Sequence, residues 1–148
     1  MAPGSKVFSF DVGLTWVGDR RASLTAPGRP SLIAAPPEGF PGGDRTAWTP
    51  EHLFLSALVS CTMLSFLAHA DHGGVDVVAY GASSDGTIMR RPGDGRYAFV
   101  EVRMRPRVVV AAGQIEAAHG LLGKAERDCF ITASTTAQVL VDWEITEA

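Results

Sequence analysis

The sequence predicts an α+β domain. Strand-like alternation fills the first part of the chain, a long apolar helix with clear end signals occupies the middle, and strand patterns resume on either side of a second helix. With 148 residues the chain is long enough for one core and short for two, so residues 1–148 are expected to form a single domain.

Phe8, Phe10, Val12, Leu14 and Trp16 alternate with Ser9, Asp11, Gly13 and Thr15, which predicts a strand running into a turn at Gly18 and Asp19. Residues 23–25 resume the pattern, Pro27 and Gly28 break it, and residues 31–34 form a third short strand. Residues 36–45, with three prolines and three glycines, are loop. Thr49 then supplies a helix N-cap, Pro50 fits the first helical position because it has no N–H to lose, and Glu51 meets the positive end of the helix dipole. The helix is expected to run to about His72, where Gly73 and Gly74 stop it. Its middle is apolar on nearly every face, the pattern of a helix packed on all sides.

Residues 75–80 and 87–89 read as strands, with the glycines and serines of 81–86 between them as a bulge or turn. Pro92, Gly93, Asp94 and Gly95 form a hairpin turn into a strand over 97–104, so this sheet is expected to be antiparallel. Ile115, Ala118, Leu121, Leu122 and Ala125 give helical spacing across 113–128, and 137–146 closes the chain as one strand.

Charge and motif content remove several function classes. The formal net charge of -3 lacks the basic excess of a nucleic-acid binder, and Arg103, Arg105 and Arg107 alternate as a solvated strand face would. The first ten residues hold no continuous apolar stretch, so no secretory signal is expected and the protein is read as cytoplasmic. The apolar run 53–68 is interrupted by serines, a threonine and Cys61 and is short for a bilayer span, so no membrane association is expected. No GxSxG, GxxxxGK[ST] or GxGxxG occurs, and the four histidines do not cluster with other ligands. No cofactor or metal is therefore expected; His69 and His72 complement the helix C-terminus.

Cys61 and Cys129 are the only cysteines, 68 positions apart (129 minus 61) and in no CxxC spacing. In isolation each reads as a buried filler, the commonest role of a free cysteine. Two segments change that reading. Thr49-Pro50-Glu51-His52-Leu53-Phe54, followed by Ala57-Leu58-Val59-Ser60-Cys61, resembles the OsmC/Ohr pattern of Asn-Pro-Glu-x-Leu leading to a reactive cysteine. The stretch 125–132, with Cys129-Phe130-Ile131-Thr132, is similar to that family's second motif. Thr49 replaces the family asparagine and Phe130 the common proline.

This resemblance implies an OsmC/Ohr-like fold, antiparallel sheets around a long central helix in an intertwined homodimer. It also implies a cysteine-based peroxidase acting on organic hydroperoxides. Cys61 would attack the peroxide, Cys129 would resolve the sulfenic acid as a disulfide, and a dithiol, commonly a dihydrolipoyl group, would reduce it. The family arginine that lowers the thiol pKa would be Arg45, with Arg21 second and Arg20 also in a suitable place, and Glu51 would orient it. Each of these four also has an ordinary reading, as a solvent-facing loop arginine or a dipole-complementing acid. Glu51 and Cys61 lie ten residues apart, about 15 Å along a straight helix, so a site using both requires Glu51 of one copy and Cys61 of another. Two other readings remain open: a non-catalytic relative binding a hydrophobic or acyl ligand, and a structural dimer with inert thiols.

Overall fold

In a computed structural model describing residues 4–148, the chain divides into two compact units, Met1–Leu53 and Phe54–Ala148. The first carries an antiparallel sheet of order β1-β2-β3, formed by β1 (Gly13–Trp16), β2 (Ala22–Thr25) and β3 (Leu32–Ala34). The hairpin between β1 and β2 turns at Gly18 and Asp19, both at positive φ, as the sequence indicates. The strand itself is shorter than the alternation suggests. Only Gly13–Trp16 pairs, and Val7, Phe10, Val12, Leu14 and Trp16 stand 66 to 85% exposed.

After the loop, Trp48 bridges to Ala34 and its carbonyl accepts from the Ala35 N–H at 2.9 Å, which returns the chain to the sheet. Thr49, 2% exposed, then caps α1 (Pro50–His72): its Oγ1 accepts from the His52 N–H at 3.0 Å. The helix starts in the first unit and continues in the second. It ends as a Schellman motif, with Gly74 at φ 70° and the Val75 N–H donating to the Ala70 carbonyl at 2.9 Å.

In the second unit, β4 (Val77–Arg90) and β5 (Tyr97–Val110) form a long antiparallel hairpin, and β6 (Gln138–Val141) and β7 (Glu144–Glu147) pair with β5 in parallel, end to end. The sheet is thus mixed, not purely antiparallel, because the chain returns to β5 through helices, a crossover that parallel pairing requires. Residues 81–86 are neither turn nor break: they pair without interruption with β5, and the register slips only at Thr87/Ile88 and near Val77. Ladder formation outweighs the weak strand propensity of glycine and serine there. Gly86 has a packing reason, since a Cβ would lie 2.7 Å from the Phe99 ring, which itself stacks on Phe54 at 4.7 Å.

The expected strand over 137–146 is two strands. Asp142 donates its N–H to the Met104 carbonyl at 2.8 Å, and Trp143 turns inward against Phe66, ring centroids 5.2 Å apart. Pro106, which has no N–H for a ladder, sits on β5 between the stretches that pair with β6 and β7. The expected helix over 113–128 is also divided, into α2 (Ile115–His119) and α3 (Leu122–Arg127), separated at Gly120 and Leu121. α4 (Phe130–Ala133) follows.

The core lies between α1 and this sheet. Leu58, Thr62, Phe66 and Ala70, spaced by four, form the buried stripe of α1 and meet the inward residues Val102, Met104, Val108 and Val110 of β5. The opposite face of β5 displays Arg103, Arg105 and Arg107, paired with Glu101, Asp85 and Glu144. α1 is not packed on all sides within one chain, since Leu64 is 60% exposed. With 23 residues it is also long and apolar enough to cross a bilayer by length and composition alone, longer than the apolar run suggested, yet its buried stripe is packed into the sheet core.

Candidate active site

The second unit brings the two cysteines together. Cys61 lies in the middle of α1, partly exposed, one residue before the buried Thr62. Cys129 is the N-cap of α4, in extended conformation, 0% exposed, and its Sγ accepts from the Thr132 N–H at 3.5 Å. Two latches hold α3 and its end against α1. Ser65 Oγ donates to the Ala125 carbonyl at 2.8 Å, and His69 Nε2 meets Asp128 Oδ2 at 2.8 Å. Arg127 and His69 together hold the Asp128 carboxyl down at about 2.

The first turn of a helix has N–H groups without intrahelical partners, and here sulfur receives them. The N–H groups of Ile131 and Phe130 point to Cys61, while that of Thr132 serves Cys129. The thiols also hydrogen-bond to each other. Burial is the largest influence on both. It pushes the Cys61 thiol up, aided by the hydrogen bond and repulsion from Cys129 and opposed by the two backbone N–H groups. Burial also opposes Cys129 ionisation, but hydrogen bonds from Thr132, Cys61 and Thr62 outweigh it and bring that thiol down. Both directions follow when the Cys61 S–H donates to the Cys129 sulfur, which makes Cys129 the more acidic of the two. Exposure runs the other way: an incoming molecule reaches Cys61 first. Such a pair can be oxidised by two electrons to a disulfide.

The remaining expected residues lie in the first unit. Arg20, Arg21 and Arg45 line one polar cavity of about 700 Å³ with Asp19 and Asp44. Arg45, first choice from the sequence, has a 79% exposed side chain paired with Glu38, its Nε 2.6 Å from Oε1. Arg21 pairs with Asp44, whose carboxyl lies at about 2, chiefly through hydrogen bonds from Thr46 and then from Arg21. Arg20 donates to the Pro41 carbonyl at 3.3 Å. Of the three, Arg20 also shares with Glu51 a largely apolar cavity of about 500 Å³, walled by Leu14, Leu24, Pro36 and Leu53. Glu51 Oε2 is buried without a hydrogen-bond partner among the described residues. Among those residues no three of His, Cys, Asp and Glu cluster to hold a metal ion.

Sequence reasoning missed Ser65, Thr62 and the His69–Asp128 pair. In the sequence His69 reads only as a complement to the helix dipole, and its partner 59 positions later carries no local signal.

The OsmC-like protein family model matches residues 42–144, a span that includes both cysteines. A search of curated proteins finds no match. Among solved structures, an OsmC-like protein of unknown function from Vibrio cholerae is similar at 24% identity and TM-score 0.81, over 93% of this chain and 99% of that one. An organic hydroperoxide resistance protein from Elizabethkingia anophelis is similar at 17% identity and TM-score 0.73, over 97% of this chain and 99% of the other. The organic hydroperoxide resistance protein OhrB of Bacillus subtilis is similar at 19% and 0.63, over 93% and 98%. At these identities the likeness to solved structures is one of fold. The family match covers well over half of the sequence, and the chain belongs to the OsmC-like protein family.

Proposed function

We propose that this protein reduces organic hydroperoxides through its two cysteines. The observation that carries the reading is the pairing of a reachable Cys61 with a sealed, more acidic Cys129 across the α1–α4 contact. Ionised Cys61 attacks the distal peroxide oxygen; an S–O bond forms, the O–O bond breaks, and the alcohol leaves after taking a proton. The Cys129 thiolate then attacks the Cys61 sulfenic acid, forming the S–S bond as hydroxide departs and is protonated to water. A dithiol such as a dihydrolipoyl group returns two electrons by thiol–disulfide exchange.

Burial disfavours the first step by raising the Cys61 thiol, so a cation must approach it. Arg20 is the preferred candidate ahead of Arg45 and Arg21, because it lines a cavity with Glu51, whose Oε2 is buried without a hydrogen-bond partner among the described residues. Glu51 would hold that guanidinium. In a homodimer, Glu51 of one copy would serve Cys61 of the other, since the two are about 15 Å apart along a single helix. Apolar neighbours of the pair, Leu58 and Ile131, favour an organic over an inorganic peroxide. With a lipoyl dithiol supplied, cumene hydroperoxide is expected to be reduced at least about tenfold faster than hydrogen peroxide, a difference of about 1.4 kcal/mol in transition-state binding. Equal or faster turnover of hydrogen peroxide contradicts the substrate class.

The apolar cavity beside Glu51 favours one alternative, a non-catalytic protein that binds a hydrophobic or acyl ligand. That reading predicts ligand binding and no peroxide consumption, so the same assay separates the two.

A further inference from the structure

Thr62 is the buried polar side chain closest to the chemistry that the roles above leave unused. It is 1% exposed and follows Cys61 on α1, so it faces inward where Cys61 faces the opening. Its Oγ1 lies 2.9 Å from the Leu58 carbonyl, 3.7 Å from Met104 Sδ and 3.7 Å from Cys129 Sγ. A hydroxyl has one proton to give and two lone pairs to receive with. It therefore cannot donate to all three at once. While Cys129 is a thiol, the proton belongs to the Leu58 carbonyl, the near and strong acceptor, and the oxygen is free to accept from the Cys129 S–H. When Cys129 ionises, that donor is lost and a charged acceptor takes its place, and rotation about one C–O bond delivers the proton to sulfur. The helix tolerates the change because the bond back to residue i−4 is an optional addition to the backbone ladder.

We infer that Thr62 is a positioning residue for Cys129, a rotating hydroxyl that fixes the buried sulfur beside Cys61 and donates to it once it is charged. The consequence is asymmetric. Hydrogen bonding to the charged form favours that form, so Thr62 makes Cys129 the ready nucleophile for resolution while leaving the first attack by Cys61 to other groups. Thr132 supplies the matching N–H from the far side, and between them the thiolate is held in an apolar surround by two donors on different elements.

The inference rests on the proposed resolving role of Cys129 for its purpose, but its test needs no peroxide. In Cys61→Ala protein of this sequence Cys129 is the sole cysteine, so ultraviolet thiolate absorbance against pH reports its ionisation alone. Thr62→Val keeps the shape and removes the donor, and it is expected to raise the midpoint by about one pH unit, a tenfold loss of thiolate below both midpoints. Thr62→Ser keeps the hydroxyl and is expected to restore the midpoint to within a fraction of that shift; a merely structural role for Thr62 gives no such rescue. Thr62→Ala provides the same comparison if valine is not accommodated. An unchanged midpoint in the valine or alanine variant, or a serine variant shifted as far as valine, overturns the inference. Failure of the peroxidase reading shows elsewhere, as an intact Cys61 after exposure to hydroperoxide.

Discussion

Cys61→Ser is expected to abolish hydroperoxide consumption, a loss on the order of a thousandfold or more, while Cys129→Ser retains the first oxidation and loses turnover. The asymmetry follows from access. Cys129 is 0% exposed and lies behind Thr62 and the first turn of α4, whereas Cys61 is partly exposed. A hydroperoxide can therefore deliver its oxygen to Cys61 and not to Cys129, even though Cys129 is the more easily ionised of the two. Without Cys129, the Cys61 sulfenic acid has no partner thiol and proceeds to sulfinic acid with excess oxidant. Mass spectrometry of each variant after one and ten equivalents of cumene hydroperoxide distinguishes these fates. Retention of the first oxidation in Cys61→Ser with its loss in Cys129→Ser reverses the assigned roles.

Sedimentation at micromolar concentration is expected to give twice the chain mass, and Phe10→Glu is expected to shift the protein to monomer with loss of peroxide turnover. In a single chain Phe10 is 85% exposed, with Val12, Leu14 and Trp16 each above 65%, and a row of exposed apolar side chains is the kind of surface that an association covers. Leu64 adds exposed apolar surface on α1. Because Phe10 is already in solvent, glutamate there costs the isolated chain little. A carboxylate buried unpaired in an interface costs about 3 to 5 kcal/mol, or at least a hundredfold in association. The activity loss follows if Glu51 of one copy serves Cys61 of another. A folded monomer with full turnover contradicts this account of the dimer and of the shared site.

What could be read in the sequence was whatever local chemistry decides. Thr49, Pro50 and Gly74 bound α1 as their capping preferences require, and the alternation of Arg103, Arg105 and Arg107 marks the outward face of β5, which runs on to Val110, past the strand expected over 97–104. Residues 81–86 escaped because glycine and serine signal turns locally, while the β5 ladder fixes them as strand through distant partners, from Gly81 opposite Arg107 to Gly86 opposite Val102. The break between β6 and β7 likewise depends on Trp143 finding Phe66 and Tyr80. At the site, motif resemblance singled out Cys61 and Cys129, but their spacing says nothing about contact. Neither Thr62 nor the sharing of the α4 N–H groups by two sulfurs carries any sequence mark. The arginine was least legible: proximity to the helix start favoured Arg45, whereas Glu38 occupies Arg45 and the cavity with Glu51 belongs to Arg20.

The central claim is that Cys61 and Cys129 form one reactive pair, and counting free thiols before and after one equivalent of cumene hydroperoxide tests it most directly. The reduced protein should show both of its thiols under denaturing conditions. After one equivalent, with no reductant present, both should be lost together and both should return on addition of a dithiol. Two thiols still titrating after exposure would contradict the account and leave a pair of inert cysteines.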